Sequence, residues 1–202
     1  MEVLKPEEID KAYRRIKSLI VKTPLISNET INNITKSRVY FKLENLQETG
    51  SFKIRGASNK ISQLSNEEKS KGVVSFSSGN HAQAVAYVAN YYGISATIVM
   101  PKNAPKIKIE KTKKFGAKII LYNPLHEDRE QIASEISLKE NKTIIKPYDD
   151  LDIIAGQGTV GKEIVEQLRI KNITPDIYLC CCGGGGLISG SSLYLKQYYP
   201  NI

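Results

Sequence analysis

The chain has 202 residues, of which 41% are hydrophobic and 25% are charged. This apolar content excludes wholesale disorder, and the length suffices for one large or two small domains with buried cores. No apolar run approaches the roughly 20 residues that a membrane-spanning helix needs. The N-terminal segment lacks the apolar core of a secretory signal, so we expect a cytoplasmic protein with no membrane partner.

The net charge is basic, because Lys and Arg outnumber Asp and Glu by 29 to 21. The densest basic stretch holds seven lysines between Lys102 and Lys118. At helical spacing these lysines would surround the helix, and no aromatic row that could stack on bases accompanies them. The charge therefore favours an enzyme for anionic small molecules over a nucleic-acid-binding protein.

In the first part of the chain, apolar spacing and capping residues predict mostly helix. An amphipathic helix begins near Pro6 and ends before Thr23-Pro24. The further predicted elements are a short helix at 30–34, a strand at 38–43, a loop at 49–51 and a helix at 53–64.

From Gly72 onward, short apolar strands alternate regularly with helices. The predicted strands are 73–77, 96–100, 117–122 and 143–146, and the predicted helices are 80–92, 105–115 and 127–140. Repeated β-α-β units of this kind imply a parallel sheet that is covered on both faces. The block from Gly72 to Pro147 is therefore predicted to be a compact subdomain.

After this block, an apolar run from Asp176 to Cys182 leads into four glycines. We interpret the run as a buried strand in which Cys180, Cys181 and Cys182 are small apolar fillers. Adjacent cysteines on a strand point to opposite faces, and zinc needs separated ligand pairs, so we predict neither a disulfide nor a metal site. The neighbouring predicted elements are a turn at 148–152, a helix through 162–168 and a helix at 187–198.

Two glycine-rich stretches could bind a phosphate. Gly156, Gly158 and Gly161 match G-x-G-x-x-G, but the acidic residues 149–152 before them do not form the buried strand that a dinucleotide site requires. We therefore interpret this match as chance. Gly183 to Gly186 precede a helix, whose terminus and free N–H groups attract phosphate, and no Gly-Lys-Ser/Thr follows that would indicate a triphosphate loop.

Two further segments have the character of binding residues. The run Ser77-Ser78-Gly79-Asn80-His81 lies between a strand and a helix start, as in a carboxylate clamp. Taken by itself, this run is better explained as an ordinary N-cap. Lys53 lies at a helix N-terminus, where the helix dipole lowers its pKa toward the neutral amine that Schiff-base chemistry needs. Together with a phosphate loop, these segments suggest an amino acid held over pyridoxal phosphate.

Several ordered motifs extend this interpretation over nearly the whole chain. They are Lys42–Ala57, Ser77–Gln83, Met100-Pro101, Ala104–Lys106, Gly116-Ala117, Pro147–Asp150, Ile154–Thr159 and Gly183–Leu187. In these motifs the sequence resembles the fold-type II pyridoxal-phosphate enzymes, specifically the threonine dehydratase and serine racemase branch. Arg55 argues against the threonine synthase and cysteine synthase branches, which usually carry an acidic residue there.

The resemblance implies an α/β fold with two doubly wound parallel-sheet domains, as in the tryptophan synthase β-subunit. The small substrate-loop domain would span residues 69–149. The larger cofactor-binding domain would combine residues 1–68 and 150–202 and would be incomplete, because family chains continue beyond the glycine loop. The missing part normally supplies the partner of the pyridine nitrogen and much of the subunit contact, and we expect a homo-oligomer.

The resemblance also assigns roles to individual residues. Lys53 would bind pyridoxal 5'-phosphate as a Schiff base and later remove the substrate α-proton. Ser77, Ser78 and His81 would seat the substrate carboxylate, and in racemases a serine at the Ser78 position exchanges a proton on the opposite face. The remaining cofactor-binding residues would be Phe52, Asn80, Gly183, Gly184, Gly185, Gly186 and Leu187.

The implied activity is that of an ammonia-lyase for small amino acids. It would convert L-threonine to 2-oxobutanoate and ammonia, and L-serine to pyruvate. Two alternatives remain open, namely a serine racemase and a truncated, inactive remnant that binds the cofactor. Neither nucleic acid nor a membrane is an expected partner.

Overall fold

The computed structural model describes residues 3–202, so Met1 and Glu2, which open the predicted larger domain, lie outside the described residues. The helices are α1 (Pro6–Ile16), α2 (Glu29–Thr35), α3 (Lys53–Ser62), α4 (Asn66–Lys71), α5 (Asn80–Tyr91), α6 (Lys106–Lys114), α7 (Arg129–Glu140), α8 (Leu151–Ile170) and α9 (Gly186–Tyr198). The strands are β1 (Leu25–Ser27), β2 (Tyr40–Lys42), β3 (Val73–Phe76), β4 (Ala96–Pro101), β5 (Lys118–Tyr122) and β6 (Thr143–Ile144).

Residues 73–144 contain a four-stranded parallel sheet in the order β5-β4-β3-β6. Side chains of β3 alternate between its two faces, as strand geometry requires. Val73 joins a core formed with α5, whereas Val74 and Phe76 join a separate core beneath α7. The sheet is therefore covered on both faces, which confirms the fold class predicted from the alternating pattern.

The second sheet is a short hairpin in which β1 pairs antiparallel with β2, Leu25 lying opposite Lys42. The sequence predicts β2 but not β1, because three residues carry too little pattern to distinguish a strand from a loop. A single 3-10 turn at Glu44–Leu46 follows β2 and leads toward α3.

Helix α8 is continuous from Leu151 to Ile170, and Asp150 caps its first turn by accepting hydrogen bonds from the backbone N–H groups of Asp152 and Ile153. It contains all three glycines of the G-x-G-x-x-G match. A Cβ at Gly156 would stand 2.6 Å from the backbone of Gly56 in α3. These glycines therefore allow close helix packing, which agrees with the prediction that they do not bind a dinucleotide.

The predicted buried strand at Asp176–Cys182 is wrong. This segment forms neither strand nor helix, and the side chains of Ile177 and Leu179 are 75% and 87% exposed. A strand needs a neighbouring strand to receive its backbone hydrogen bonds, and none of residues 3–202 provides one here. Tyr178 anchors the segment through a hydrogen bond from its hydroxyl to Ser191 Oγ at 2.9 Å.

None of the helices within residues 3–202 combines the length and the apolar character that are needed to cross a membrane.

Candidate active site

Lys53 is the first residue of α3 and lies directly behind the loop at 49–52. Its side chain is half-buried, and its Nζ donates a hydrogen bond to the carbonyl oxygen of Pro147 at 2.6 Å. Burial lowers the pKa of Lys53, while the electrostatic influence of Cys181 opposes that shift. A lowered pKa increases the fraction of neutral amine at neutral pH, which is the form that attacks a carbonyl.

Phe52 lies beside this lysine, with 5.3 Å between the Lys53 Nζ and the centre of the aromatic ring. The ring is half-buried and packs against the core that joins α8 and α9. An apolar side chain at this place restricts water around the amine, in agreement with the lowered pKa of Lys53.

His81 is buried at the start of α5, with 2% of its surface exposed. Its Nε2 donates to the carbonyl oxygen of Ile145 at 3.2 Å, so the proton of the neutral ring is on Nε2 and Nδ1 carries a lone pair. No described residue donates a hydrogen bond to Nδ1. Burial, and then the charge of Lys53, lower the pKa of His81 to about 3, which keeps the ring neutral at neutral pH.

The loop from Ser77 to Asn80 connects β3 to α5, and its residues differ in solvent exposure. Ser77 is half-buried, whereas Ser78 and Asn80 are exposed. Gly79 occupies the N-cap position of α5 without a side-chain cap, and its own N–H donates to Ser77 Oγ at 3.3 Å. The N–H groups of the first helical turn therefore remain available to a ligand, as an anion-binding loop requires.

The glycine loop at 183–186 turns immediately before α9, and Gly185 adopts a left-handed φ of 86°. A Cβ at Gly184 would lie 2.2 Å from the ring of Tyr148, so the close approach of the loop to this ring requires glycine. Within residues 3–202, no acceptor receives the N–H groups of Gly183 to Leu187. Free N–H groups at a helix N-terminus form a phosphate cradle.

The segment from Ile145 to Tyr148 brings the three motifs together. Ile145 accepts hydrogen bonds from His81 and, at 2.6 Å, from the hydroxyl of Ser75. Pro147 accepts the hydrogen bond of Lys53, and Tyr148 packs against the glycine loop. Residues 147–150 are recognisable in the sequence as a motif, but their contacts are not, because a backbone carbonyl that binds a side chain leaves no sequence signal.

A buried charge network fixes α3, and with it Lys53, to the rest of the molecule. Arg55 is fully buried and donates to Glu163 in α8 and to Glu44 in the 3-10 turn, with distances of 2.7 to 2.9 Å. Lys42 adds a further ion pair to Glu163 at 2.6 Å. Burial alone would raise the pKa of Glu44, but the hydrogen bonds and charge of Arg55 keep it below its ordinary value.

A model of the family described as pyridoxal-phosphate dependent enzymes matches residues 16–202. The chain therefore belongs to this family, whose cofactor is pyridoxal phosphate. Its relatives within the family include threonine ammonia-lyases and serine racemases, which agrees with the branch inferred from the sequence motifs.

Three comparisons define these similarities. The chain is 45% identical over 195 residues to a serine racemase of Schizosaccharomyces pombe, which covers 96% of this chain and 59% of that protein. It is 45% identical over 198 residues to an L-threonine ammonia-lyase of Thermotoga maritima, covering 97% and 48%, respectively. Its fold matches a maize serine racemase with a TM-score of 0.94 and 40% identity, covering 100% and 60%. The chain thus spans about half to three fifths of these proteins.

The residues at the site fit pyridoxal phosphate on two structural grounds. Lys53 offers a half-buried amine with a lowered pKa, which suits a covalent link to an aldehyde. The loop at 183–186 offers free N–H groups in a turn that glycine alone permits at position 184. Both groups contact the same segment of the chain: Lys53 contacts Pro147, and the glycine loop contacts Tyr148.

Proposed function

We propose that this chain carries the catalytic lysine, substrate loop and phosphate loop of an ammonia-lyase that acts on L-threonine and L-serine. The main supporting observation is the convergence of Lys53, His81 and the glycine loop on residues 145–148. The products would be 2-oxobutanoate and ammonia from L-threonine, and pyruvate and ammonia from L-serine.

The cofactor would be held from three sides. Lys53 Nζ would bind its aldehyde carbon, the N–H groups of Gly183 to Leu187 would bind its phosphate, and Phe52 would pack beside its ring. The exposed amide of Asn80 would donate to the phenolic oxygen of the ring. When bound, pyridoxal phosphate supplies an electron sink that makes removal of an amino-acid α-proton feasible at neutral pH.

The chain's own residues would then bind and deprotonate the substrate. Ser77, Ser78 and His81 would orient the substrate carboxylate at the N-terminus of α5. Lys53 Nζ, once free of its covalent link, would accept the α-proton, because burial keeps its pKa lowered. His81 would stay neutral during this step and would position the loop through its hydrogen bond to Ile145.

A second activity, serine racemisation, is favoured by Ser78. Its side chain is exposed, and the resemblance to racemases implies that a serine at this position exchanges a proton on the substrate face opposite the lysine. A two-base exchange of the α-proton would require such a group on each face. The relative from Schizosaccharomyces pombe bears the name serine racemase, in agreement with this alternative.

We also propose that the chain is organised in two domains. Residues 69–149 would form the substrate-loop domain, and residues 3–68 with 150–202 would form the cofactor-binding part. The exposed segment at 176–182 supports an association of these chains, so we propose a homo-oligomer as the working form.

One experiment tests both activities. The 202-residue chain is incubated with pyridoxal phosphate, and 2-oxo acids and D-serine are measured after addition of L-threonine or L-serine. We expect a visible absorption band from the lysine-bound cofactor and 2-oxo acid from both substrates. Lys53→Ala should lose the band and reduce turnover at least about 1,000-fold, whereas the exposed Lys106→Ala should change neither.

The outcomes separate the candidate functions. D-serine that disappears in Ser78→Ala while pyruvate persists would establish the racemase alternative. Cofactor binding without product from either amino acid would contradict the proposed activity and leave the cofactor-binding remnant. A wild-type chain without the absorption band would contradict the proposal altogether.

A further inference from the structure

Lys108, the third residue of α6, lies across Gly79 of the substrate loop. A Cβ at Gly79 would be 3.1 Å from the Lys108 Nζ, and 3.5 and 3.7 Å from its Cδ and Cε, respectively. The side chain thus runs along the loop backbone, and its ammonium group lies at the N-terminus of α5.

Lys108 differs in burial from every other lysine in the basic stretch. Within residues 102–118 it is half-buried, whereas the remaining lysines are exposed; these are Lys102, Lys106, Lys111, Lys113, Lys114 and Lys118. No acidic group among residues 3–202 forms an ion pair with Lys108. Because the half-buried Lys108 side chain has no anionic partner among the residues that the structure describes, its charge is available to a ligand anion.

Other groups around Lys108 also favour an anion. The N–H groups of Asn80, His81 and Ala82 have no acceptor within the described part of the chain. Free N–H groups and the helix dipole attract a carboxylate, and a fixed cation beside them adds a direct charge interaction.

We propose that Lys108 is a substrate-binding residue that supplies the positive charge for the amino-acid carboxylate at residues 77–81. The proposal rests on the proposed function, because it assigns a ligand to the same loop. It also distinguishes one lysine of the basic stretch from its neighbours. The ammonium of Lys108 binds the carboxylate from the α6 side, while the loop N–H groups bind it from the α5 side.

The test measures carboxylate binding without turnover. Sodium acetate is titrated into the ¹⁵N-labelled 202-residue chain, and the amide signals of Gly79, Asn80 and His81 are followed by NMR. Lys108→Met should weaken acetate binding about 10- to 100-fold, because a charge-assisted hydrogen bond is lost. Lys111→Met removes the same charge from the exposed face of α6 and should leave the affinity within about twofold of wild type.

Lys108→Arg keeps the charge and should recover most of the affinity, which separates a charge effect from loss of packing. Equal affinities in Lys108→Met and Lys111→Met would overturn the proposal, and so would wild-type amide signals that do not respond to acetate. Cofactor binding and 2-oxo acid formation are measured separately, so a chain that binds acetate through Lys108 but forms no product contradicts only the proposed function.

Discussion

At the scale of single residues, His81 shows how burial can turn a titratable side chain into a fixed neutral group. Its ring donates from Nε2 to Ile145, and its pKa is lowered to about 3 by burial and by Lys53. In the unfolded chain the pKa of a histidine is about 6.5. Between these two pH values the unfolded state binds a proton that the folded state does not, so the free energy of unfolding decreases as the pH falls.

We therefore predict that His81 contributes a measurable part of the acid sensitivity. Between pH 7 and pH 5, its contribution should reduce the free energy of unfolding by about 2 kcal/mol. His81→Gln should remove this component, whereas His126→Gln, at an exposed position, should retain it. Urea unfolding of the three proteins at both pH values provides the measurement, and an identical pH dependence in His81→Gln and wild type would contradict the prediction.

The sequence allowed some of these residues to be identified but not others. Lys53 and Gly183 to Gly186 lie in local patterns whose chemistry can be inferred from neighbouring residues. Lys108 could not be distinguished from the other lysines of its stretch, because which helix face is buried depends on how α6 packs. The dipole-based explanation for Lys53 was also incomplete, since burial is the main cause of its lowered pKa.

At the scale of elements, α8 is the helix against which α1, α3 and α9 pack. Gly156 contacts α3, and Gly158 contacts Ile9 of α1 as well as α9. Gly161 contacts α9, where an added Cβ would stand 2.5 Å from the carbonyl oxygen of Ser191. The glycine pattern therefore serves helix packing on two sides. Pattern matching alone could not establish this, because the same spacing occurs in loops and in helices.

In Gly156→Ala, helix propensity and packing should change the free energy of unfolding in opposite directions. In an exposed helix, replacing glycine by alanine stabilises by about 1 kcal/mol. At Gly156 the added methyl group would overlap the backbone of α3, and overpacking costs about 1 to 3 kcal/mol. We expect a net decrease in the free energy of unfolding, measured by urea titration, and an increase would show that α3 and α8 are not so closely packed.

At the scale of the whole molecule, the sequence predicted the parallel sheet correctly but not the structure of residues 176–182. The parallel sheet was predicted because its four strands alternate with three helices along the chain, which is a local pattern. The failed prediction at Asp176–Cys182 concerned a segment whose pairing depends on distant strands, and its composition could not indicate whether a partner is present. Composition predicts that a segment can form a strand, but pairing determines whether it does.

The exposed apolar segment leads to a prediction about solution behaviour. Ile177 and Leu179 are 75% and 87% exposed on a segment without strand pairing, and exposed apolar side chains favour association with another copy. Sedimentation velocity should show concentration-dependent association, and Ile177→Lys/Leu179→Lys should reduce it. Leu125→Lys/Leu138→Lys, which changes two equally exposed but separate leucines, should leave association unchanged. Equal effects of the two double variants would contradict a specific role of residues 176–182.

The buried network around Arg55 has a consequence for how this sequence can vary. Arg55 and Lys42 carry two positive charges, and Glu44 and Glu163 carry two negative ones, so the network is neutral as a whole. A change at one position leaves an uncompensated charge in the interior, which costs about 3 to 5 kcal/mol. Substitutions that remove a positive charge from this network should therefore be tolerated only together with substitutions that remove a negative charge. Residues more than 100 positions apart in the chain should thus change together.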